Sequence, residues 1–249
     1  MLVFRQVDLK SFRALILGLF GIPVLLMADS QFGDNLFFGY GQAVSTLLVF
    51  IAYVFAYRIS TQRVKHVMLI GIIVGLAGEA FFSLGLGMYH YRFGNIPFWL
   101  AFAHGLIFAL VFRLCRKSWI KKRQYFIQNI LLFFAVVYSL FWLMWANDWF
   151  GFLCAVAFIL ILFTVKKSRL FFLIMFAVVC YIEQVGTATG CWYWPETTLD
   201  LISWLPSGNP PSGIAVFYFL FDAAVFWIYM YLLHPNINQR YQKIRLGRP

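Results

Sequence analysis

The feature that most constrains this chain is a series of apolar segments, each about as long as one crossing of a lipid bilayer. A membrane-spanning helix needs about 20 apolar residues. Of the 249 residues 63% are hydrophobic and only 12% are charged, whereas soluble domains carry about 25% charged residues. The pattern predicts an all-α, polytopic transmembrane helical bundle of about eight spans. Their approximate ranges are 14–30, 39–57, 66–89, 97–114, 125–145, 148–165, 170–190 and 213–233.

Basic residues concentrate in alternate loops between these segments. The basic loops and ends lie at 1–13, 58–65, 113–123, 166–169 and 240–248. The other loops hold one basic residue, Arg92, and several acids, among them Asp34, Asp148 and Glu196. Because cytoplasmic loops carry the excess of Lys and Arg, we predict a multi-pass protein of the plasma (inner) membrane with cytoplasmic N- and C-termini. The same topology accounts for the formal charge of +11, so we predict no nucleic-acid partner.

The two halves of the sequence contain similar stretches. Glu79 precedes Gly-Met-Tyr-His-Tyr at 87–91, and Glu183 precedes Gly-Cys-Trp-Tyr-Trp at 190–194. This echo predicts a 4+4 parallel repeat, with halves 1–124 and 125–249 related by an axis along the membrane normal within one membrane domain. The alternative is that both stretches are ordinary helix ends with aromatic anchors. The proline-rich residues 191–213 are predicted to form an ordered cap at the outer interface.

Four ionisable residues fall inside the predicted spans, at matching depth in the outer half or middle of the membrane. Ionisable groups in a bilayer are costly and normally face the bundle interior. A carboxyl group there can donate a proton that a second carboxylate or a histidine accepts. The candidate catalytic residues are therefore Glu79, His104, Glu183 and Asp222. The alternative is that each is a structural hydrogen-bond partner. The candidate substrate-binding residues nearby are Tyr89, Tyr91, Gln184, Trp192, Trp194 and Tyr218.

Sequence patterns for other chemistries are missing. The chain has no His-x-x-x-His or Glu-x-x-His pair that would suggest a metal, and no glycine-rich phosphate loop. Its four cysteines form no Cys-x-x-Cys pair. We therefore predict no metal, no cofactor and no disulfide.

Residues 183–194, with the sequence EQVGTATGCWYW, resemble a pattern in membrane carotenoid hydratases and, more distantly, in integral-membrane terpene cyclases. A weaker echo covers 79–91. In those families, acids within the membrane protonate a polyene or epoxide, so the resemblance implies that Glu79, Glu183 and Asp222 are proton-handling residues. The chain departs from carotenoid cyclases, whose acid lies beside prolines within a span, because here Pro195-Glu196 falls in a loop.

Three functions remain open at this level. The first is an enzyme that performs acid–base chemistry on an isoprenoid or another lipid-soluble substrate. The second is a proton-coupled transporter or lipid-handling protein that uses the same acids. The third is a non-catalytic envelope protein that recruits partners through the 191–213 cap. Membrane lipid is the expected surrounding in all three, and the sequence names no protein partner.

Overall fold

The computed structural model describes residues 9–166, 168–198 and 202–233, with side chains from residue 18 onward. Ten α-helices are present in this part of the chain, and two of them continue into a π-helical turn. The helices are α1 Leu9–Asp29, α2 Gln31–Leu36, α3 Gly41–Arg58, α4 Gln62–Glu79, α5 Trp99–Cys115, α6 Ser118–Lys122, α7 Gln124–Ala146, α8 Trp149–Thr164, α9 Arg169–Ala188 and α10 Ala215–Trp227. The π-turns are Ala80–Gly85 after α4 and Ile228–Leu233 after α10. Four short strands complete the fold: β1 His90–Tyr91, β2 Trp192–Tyr193, β3 Thr197–Thr198 and β4 Ile202–Pro206.

Five helices are long and apolar enough to cross a membrane. They are Gly41–Arg58, Gln62–Gly85, Gln124–Ala146, Arg169–Ala188 and Ala215–Leu233. Three further apolar helices are shorter: Gly18–Asp29, Trp99–Cys115 and Trp149–Thr164. The helical, membrane-compatible class predicted from the sequence is confirmed. The three shorter helices coincide with the first, fourth and sixth predicted spans. The third predicted span ends earlier than expected, because the helix stops at Gly85 and the chain then turns into β1.

Large apolar side chains cover the outside of the bundle. Phe55, Phe133 and Trp145 expose 66%, 70% and 78% of their surface. In water such a surface would drive association, whereas in a bilayer it meets lipid chains. Helix α7 lies at the periphery, since only 11% of its most apolar 18-residue stretch is buried. Helix α9 lies at the centre, since 61% of the corresponding stretch is buried.

Two sets of helices share several contacts. Helix α3 contacts α1 and α5, and α5 packs along α4. Correspondingly, α8 contacts α7 and α10, and α10 packs along α9. The two sets are not identical, because α7 also packs extensively along α9. Helices α4 and α10 join the two sets, as do α5 and α9.

Glycines permit the closest of these approaches. Gly71 on α4 lies against Gly105 on α5, where an added Cβ would meet the Gly105 backbone at 3.4 Å. One turn further along α4, a Cβ on Gly75 would lie 2.5 Å from the imidazole ring of His104. The face of α4 that presents Gly71, Gly75 and Glu79 therefore forms the α4–α5 contact, as expected for small residues between membrane helices.

The bundle has two distinct ends. At one end, called the aromatic end below, lie residues 87–91 and 190–194 together with strands β1 to β4. At the other, called the basic end, helices α3 and α5 finish near Arg58, Arg113 and Arg116. The cap at 191–213 contains strands and turns and no helix among its described residues. The buried carboxylate of Asp148 secures it by accepting hydrogen bonds from the backbone amides of Gly151, Gly208 and Ser212 at 2.9, 2.8 and 2.7 Å.

Candidate functional site

The two aromatic stretches meet at the aromatic end. Strands β1 and β2 pair antiparallel, with His90 opposite Tyr193 and Tyr91 opposite Trp192. The chain enters each stretch through a glycine with positive φ, +62° at Gly87 and +70° at Gly190, a conformation that glycine adopts without strain. Successive side chains of a strand point to opposite faces. Positions 89, 91, 192 and 194 therefore turn into the bundle, and all four side chains are buried.

Glu79 accepts hydrogen bonds from both tyrosines of the first stretch. Its Oε2 atom accepts hydrogen bonds from the hydroxyls of Tyr89 and of Tyr91, the latter at 2.7 Å. Its Oε1 atom lies 3.0 Å from Nε2 of His104 on α5. The carboxyl group is 2% exposed, so these contacts replace the water that it would otherwise bind.

Glu183 collects the tryptophans of the second stretch in the same way. Its Oε2 atom accepts the indole N–H groups of Trp192 and Trp194 at 2.8 and 3.1 Å. Its Oε1 atom accepts a longer hydrogen bond, 3.4 Å, from the hydroxyl of Tyr218 on α10. The Trp192 indole can approach because Gly186 has no side chain, and a Cβ there would lie 2.0 Å from the ring.

The two carboxyl groups therefore have equivalent surroundings. In each, one oxygen takes two donors from its own aromatic stretch and the other faces the following helix. The rings on those helices, His104 and Tyr218, stack on each other with centroids 5.9 Å apart. Tyr89 packs against Trp194 across the halves, with centroids 4.6 Å apart.

The spacing between the acid and the following glycine is one residue longer in the first stretch than in the second. Glu79 precedes its glycine by eight positions and Glu183 by seven. The π-turn Ala80–Gly85 lies in the longer segment. A π-turn accommodates an additional residue within a helix, so both acids reach the same position relative to their aromatic stretches.

Both acids line a single small cavity of about 50 Å³. It extends between α4, α5, α9 and α10, below the β1–β2 ladder. Liquid water occupies about 30 Å³ per molecule, so the space as it stands holds about one or two waters and is too small for a whole hydrocarbon chain. Apolar side chains form the rest of the wall, including Phe82, Trp99, Leu100, Ile182, Phe217 and Phe221.

The structure brings together eight of the ten residues singled out from the sequence. The residues that line the cavity are Glu79, Tyr89, Tyr91, His104, Glu183, Trp192, Trp194 and Tyr218. Asp222 and Gln184 do not line it. The Gln184 amide donates to the Tyr138 hydroxyl at 2.7 Å, while Asp222 is buried with no hydrogen-bond partner for Oδ2 among the described residues. Tyr218, not Asp222, occupies the position on α10 that corresponds to His104 on α5.

Sequence reasoning missed the role of Trp99. Its ring lines the cavity, and its Nε1 donates to Oδ2 of Asp29 at the end of α1, at 3.1 Å. Arg92 completes this corner by contacting Asp34 Oδ2 and the carbonyl of Asp29, both at 2.6 Å. The available signal was that Arg92 is the lone basic residue of its loop set, with acids in the preceding loop.

Tyr89 and Tyr91 act as hydrogen-bond donors to Glu79. Burial, followed by the negative charge of Glu79, raises the pKa of both Tyr89 and Tyr91 well above the ordinary tyrosine value. Their hydroxyls therefore stay protonated at physiological pH and keep Glu79 Oε2 occupied. The remaining oxygen, Oε1, is the one available to exchange a proton with His104 or with the contents of the cavity.

The site contains no evident metal position. Among the residues that the structure describes, no three His, Cys, Asp or Glu side chains lie close enough together to hold a metal ion. Comparisons of the chain with protein-family models, with curated proteins and with solved structures found no match.

Proposed function

We propose that this chain is an eight-span membrane protein built from two four-span halves, 1–124 and 125–249, related by an axis along the membrane normal. The α3–α5 and α4–α5 contacts have counterparts in the α8–α10 and α9–α10 contacts, which supports the repeat. The matching contacts of Glu79 and Glu183 support it as well. The basic loops support an inner-membrane location with the basic end in the cytoplasm.

We further propose that the acids lining the cavity are the catalytic groups of an enzyme that performs acid–base chemistry on a lipid-soluble substrate such as an isoprenoid, whose reacting carbons would enter the cavity while the rest of the molecule lies outside it. The observation that carries this proposal is the Glu79 Oε1–His104 Nε2 contact of 3.0 Å at the wall of a cavity shared with a second carboxyl group. An imidazole nitrogen can donate or accept a proton, and a protonated carboxyl group is a suitable proton donor.

The two acids have partners suited to different roles. An indole N–H only donates, so Trp192 and Trp194 favour Glu183 as a carboxylate acceptor. Glu79 has in His104 a partner that can both donate and accept. We assign proton transfer to Glu79 and His104, and electrostatic stabilisation to Glu183.

The chemistry would proceed by transfer of the Glu79 proton to one carbon of a substrate double bond, which leaves a cation on the other carbon. Glu183 and the aromatic faces around the cavity would stabilise that cation. The cation would then lose a proton from a neighbouring carbon to His104, giving an isomerised or cyclised alkene. Alternatively, a water in the cavity would add to it and give up a proton to His104, giving an alcohol. In both routes the proton returns from His104 to Glu79.

A comparison of lipids and metabolites tests the enzyme proposal. Cells that contain the protein should differ from cells without it in at least one isoprenoid or other lipid. Glu79→Gln and His104→Gln should abolish that difference while the protein remains folded and monodisperse. Unchanged extracts after deletion of the protein would count decisively against an enzyme.

A proton-coupled transporter is the second candidate, favoured by the size of the cavity. About 50 Å³ admits water but no large substrate. Asp222 Oδ2, which has no hydrogen-bond partner in the described part of the chain, is a further buried acidic atom. This function predicts solute uptake or efflux that depends on a pH gradient in sealed vesicles. Glu79→Gln should abolish the dependence, and transport indifferent to the gradient would exclude it.

A further inference from the structure

A second, larger space lies beside the acidic cavity. It is an apolar crevice of about 450 Å³ between α1, α3 and α5, within the usual size range of small-molecule sites. It follows α5 from Trp99 to Leu114, a length of about 22 Å at 1.5 Å per residue. Such a volume spread over such a length describes a narrow channel suited to an extended chain.

Small residues keep this crevice open. Gly21 on α1 and Ala52 and Ala56 on α3 belong to its wall. A Cβ built on Gly21 would meet no atom within 4 Å. The space therefore results from missing side chains at the wall and can be filled by a substitution without displacing protein atoms.

The crevice adjoins the acidic cavity. Trp99, Ala103, Ile107 and Ile182 line both spaces. The end of an apolar chain in the crevice would therefore lie against the wall that also contains His104, which follows Ala103 directly on α5.

The opposite end of the crevice is positively charged. Arg113 and Lys117 line it there, and both also line a wider opening of about 600 Å³ that includes Arg63 and Arg116. Arg113 is held in place because its Nη2 donates to Ser60 Oγ at 2.5 Å and to the carbonyl of Ala56 at 3.4 Å. A fixed guanidinium group beside further cations is suited to a phosphate, to which it can donate a charge-assisted hydrogen bond.

We propose that the crevice binds a single-chain lipid phosphate, with its phosphate at Arg113 and Lys117 and its chain running along α5 to the acidic cavity. This inference rests on the proposed function for one point, that the chain end beside His104 is where chemistry occurs. Charge complementarity selects the head group, and the narrow apolar channel selects one extended chain. A head at the basic end and a chain end near the middle of the bilayer also match the orientation of an amphiphile in a leaflet.

Binding of defined probes to the purified full-length protein in detergent tests the proposal. The probes are farnesyl phosphate, its uncharged analogue farnesol, and dioleoyl phosphatidic acid as a two-chain lipid. Farnesyl phosphate should bind at least tenfold more tightly than farnesol, because only the former engages the cations. Equal affinities would overturn recognition of the phosphate. Displacement of farnesyl phosphate by equimolar phosphatidic acid would show that a bilayer phospholipid is the occupant and would overturn the single-chain assignment.

Matched variants locate the binding site. Gly21→Trp should fill the crevice and reduce farnesyl phosphate affinity tenfold or more, whereas Val24→Trp, on the lipid-exposed face of the same helix, should not. Arg113→Gln and Lys117→Gln should each weaken binding by about tenfold, whereas Arg58→Gln, an exposed cation at the same end, should have little effect. Because Arg113 also bonds to α3, Lys117→Gln and Gly21→Trp keep the test valid if Arg113→Gln fails to fold.

The same variants separate this proposal from the enzyme proposal. Glu79→Gln should bind farnesyl phosphate normally, since the acid lies beyond the crevice, but should lose any lipid conversion. Normal binding by both Gly21→Trp and Lys117→Gln would overturn the crevice assignment whatever the activity of Glu79→Gln.

Discussion

At the scale of single residues, the two acids have equivalent surroundings but different partners. His104 faces Glu79 at 3.0 Å and Tyr218 faces Glu183 at 3.4 Å. A short contact to an imidazole nitrogen, which can donate or accept a proton, favours proton exchange, whereas a long contact to a hydroxyl is a weak hydrogen bond. The difference between a histidine and a tyrosine is thus the chemical asymmetry of the site.

This asymmetry predicts unequal effects of mutation. His104→Gln should reduce activity by 100-fold or more, in line with the contribution of general acid–base catalysis of about 10²–10⁴. Tyr218→Phe removes only the long hydrogen bond and should cost less than about tenfold. The measurement is the amount of converted lipid per amount of folded protein. Equal losses for the two variants would contradict the assignment of proton transfer to the first half.

A second residue-scale prediction concerns Cys191, which lies between α9 and the cap. The thiol is 1% exposed and contacts the carbonyl of Leu26 and the hydroxyl of Thr189. Burial raises its pKa to about 11. A raised pKa keeps the thiol protonated at every pH below that value, and only the thiolate reacts.

Alkylation of Cys191 by iodoacetamide should therefore be very slow at pH 7.5 and should accelerate as the pH rises toward 11. Mass spectrometry of the peptide containing Cys191 measures the rate of alkylation, with protein unfolded in sodium dodecyl sulfate as the reference. Modification of the folded protein at the unfolded rate near neutral pH would show that the loop does not bury this thiol.

At the scale of elements, helix positions follow closely from hydropathy, but the β1–β2 ladder does not. The apolar segments predicted from the sequence agree with the long helices because length and composition decide a membrane span. Two-residue strands such as His90–Tyr91 have no local signal and form because distant stretches meet. The sequence predicted Asp222 near the other acids from its depth in the bilayer alone. Which side chains of α10 face the cavity depends on how the helix is rotated about its axis, and Tyr218 faces it instead. Cavity volume depends on packing of many side chains and has no local pattern at all.

The π-turn after α4 predicts an unequal response to deletions. Removing Leu84, an exposed residue of the turn, should convert it to α-helix and give the seven-residue spacing that serves Glu183. Glu79 should then still meet Tyr89 and Tyr91. Removing the exposed Ala188 from the corresponding segment of α9 should rotate Glu183 by about 100° relative to the tryptophans.

Monodispersity, thermal stability and activity compare the two deletions. The Leu84 deletion should retain most of all three, and the Ala188 deletion should lose them. The substitutions Leu84→Gly and Ala188→Gly, which change the same sites without changing the spacing, serve as controls. Equal tolerance of both deletions would show that the π-turn does not compensate for the extra residue.

At the scale of the whole molecule, the charge distribution predicts how the bundle crosses the membrane. Glu196 in the cap and Lys121 on α6 are exposed at opposite ends. In intact cells, an impermeant maleimide should label Glu196→Cys. It should label Lys121→Cys only after the membrane is permeabilised. Labelling of both sites from outside, or of Lys121→Cys alone, would contradict the proposed topology.

The closed roof over the acids also determines how the site meets its ligands. Tyr91 and Trp192, paired across the β1–β2 ladder, are buried, and the crevice opens among helices that face lipid. For the proposed enzyme, access would therefore be lateral, from within the bilayer, and the supply of substrate would depend on the number of substrate molecules per lipid. Adding more lipid at a constant total amount of substrate should slow turnover, although the substrate concentration per volume of buffer stays the same. Rates for this protein should accordingly scale with mole fraction in the membrane, a dilution law that belongs to surfaces rather than to solutions.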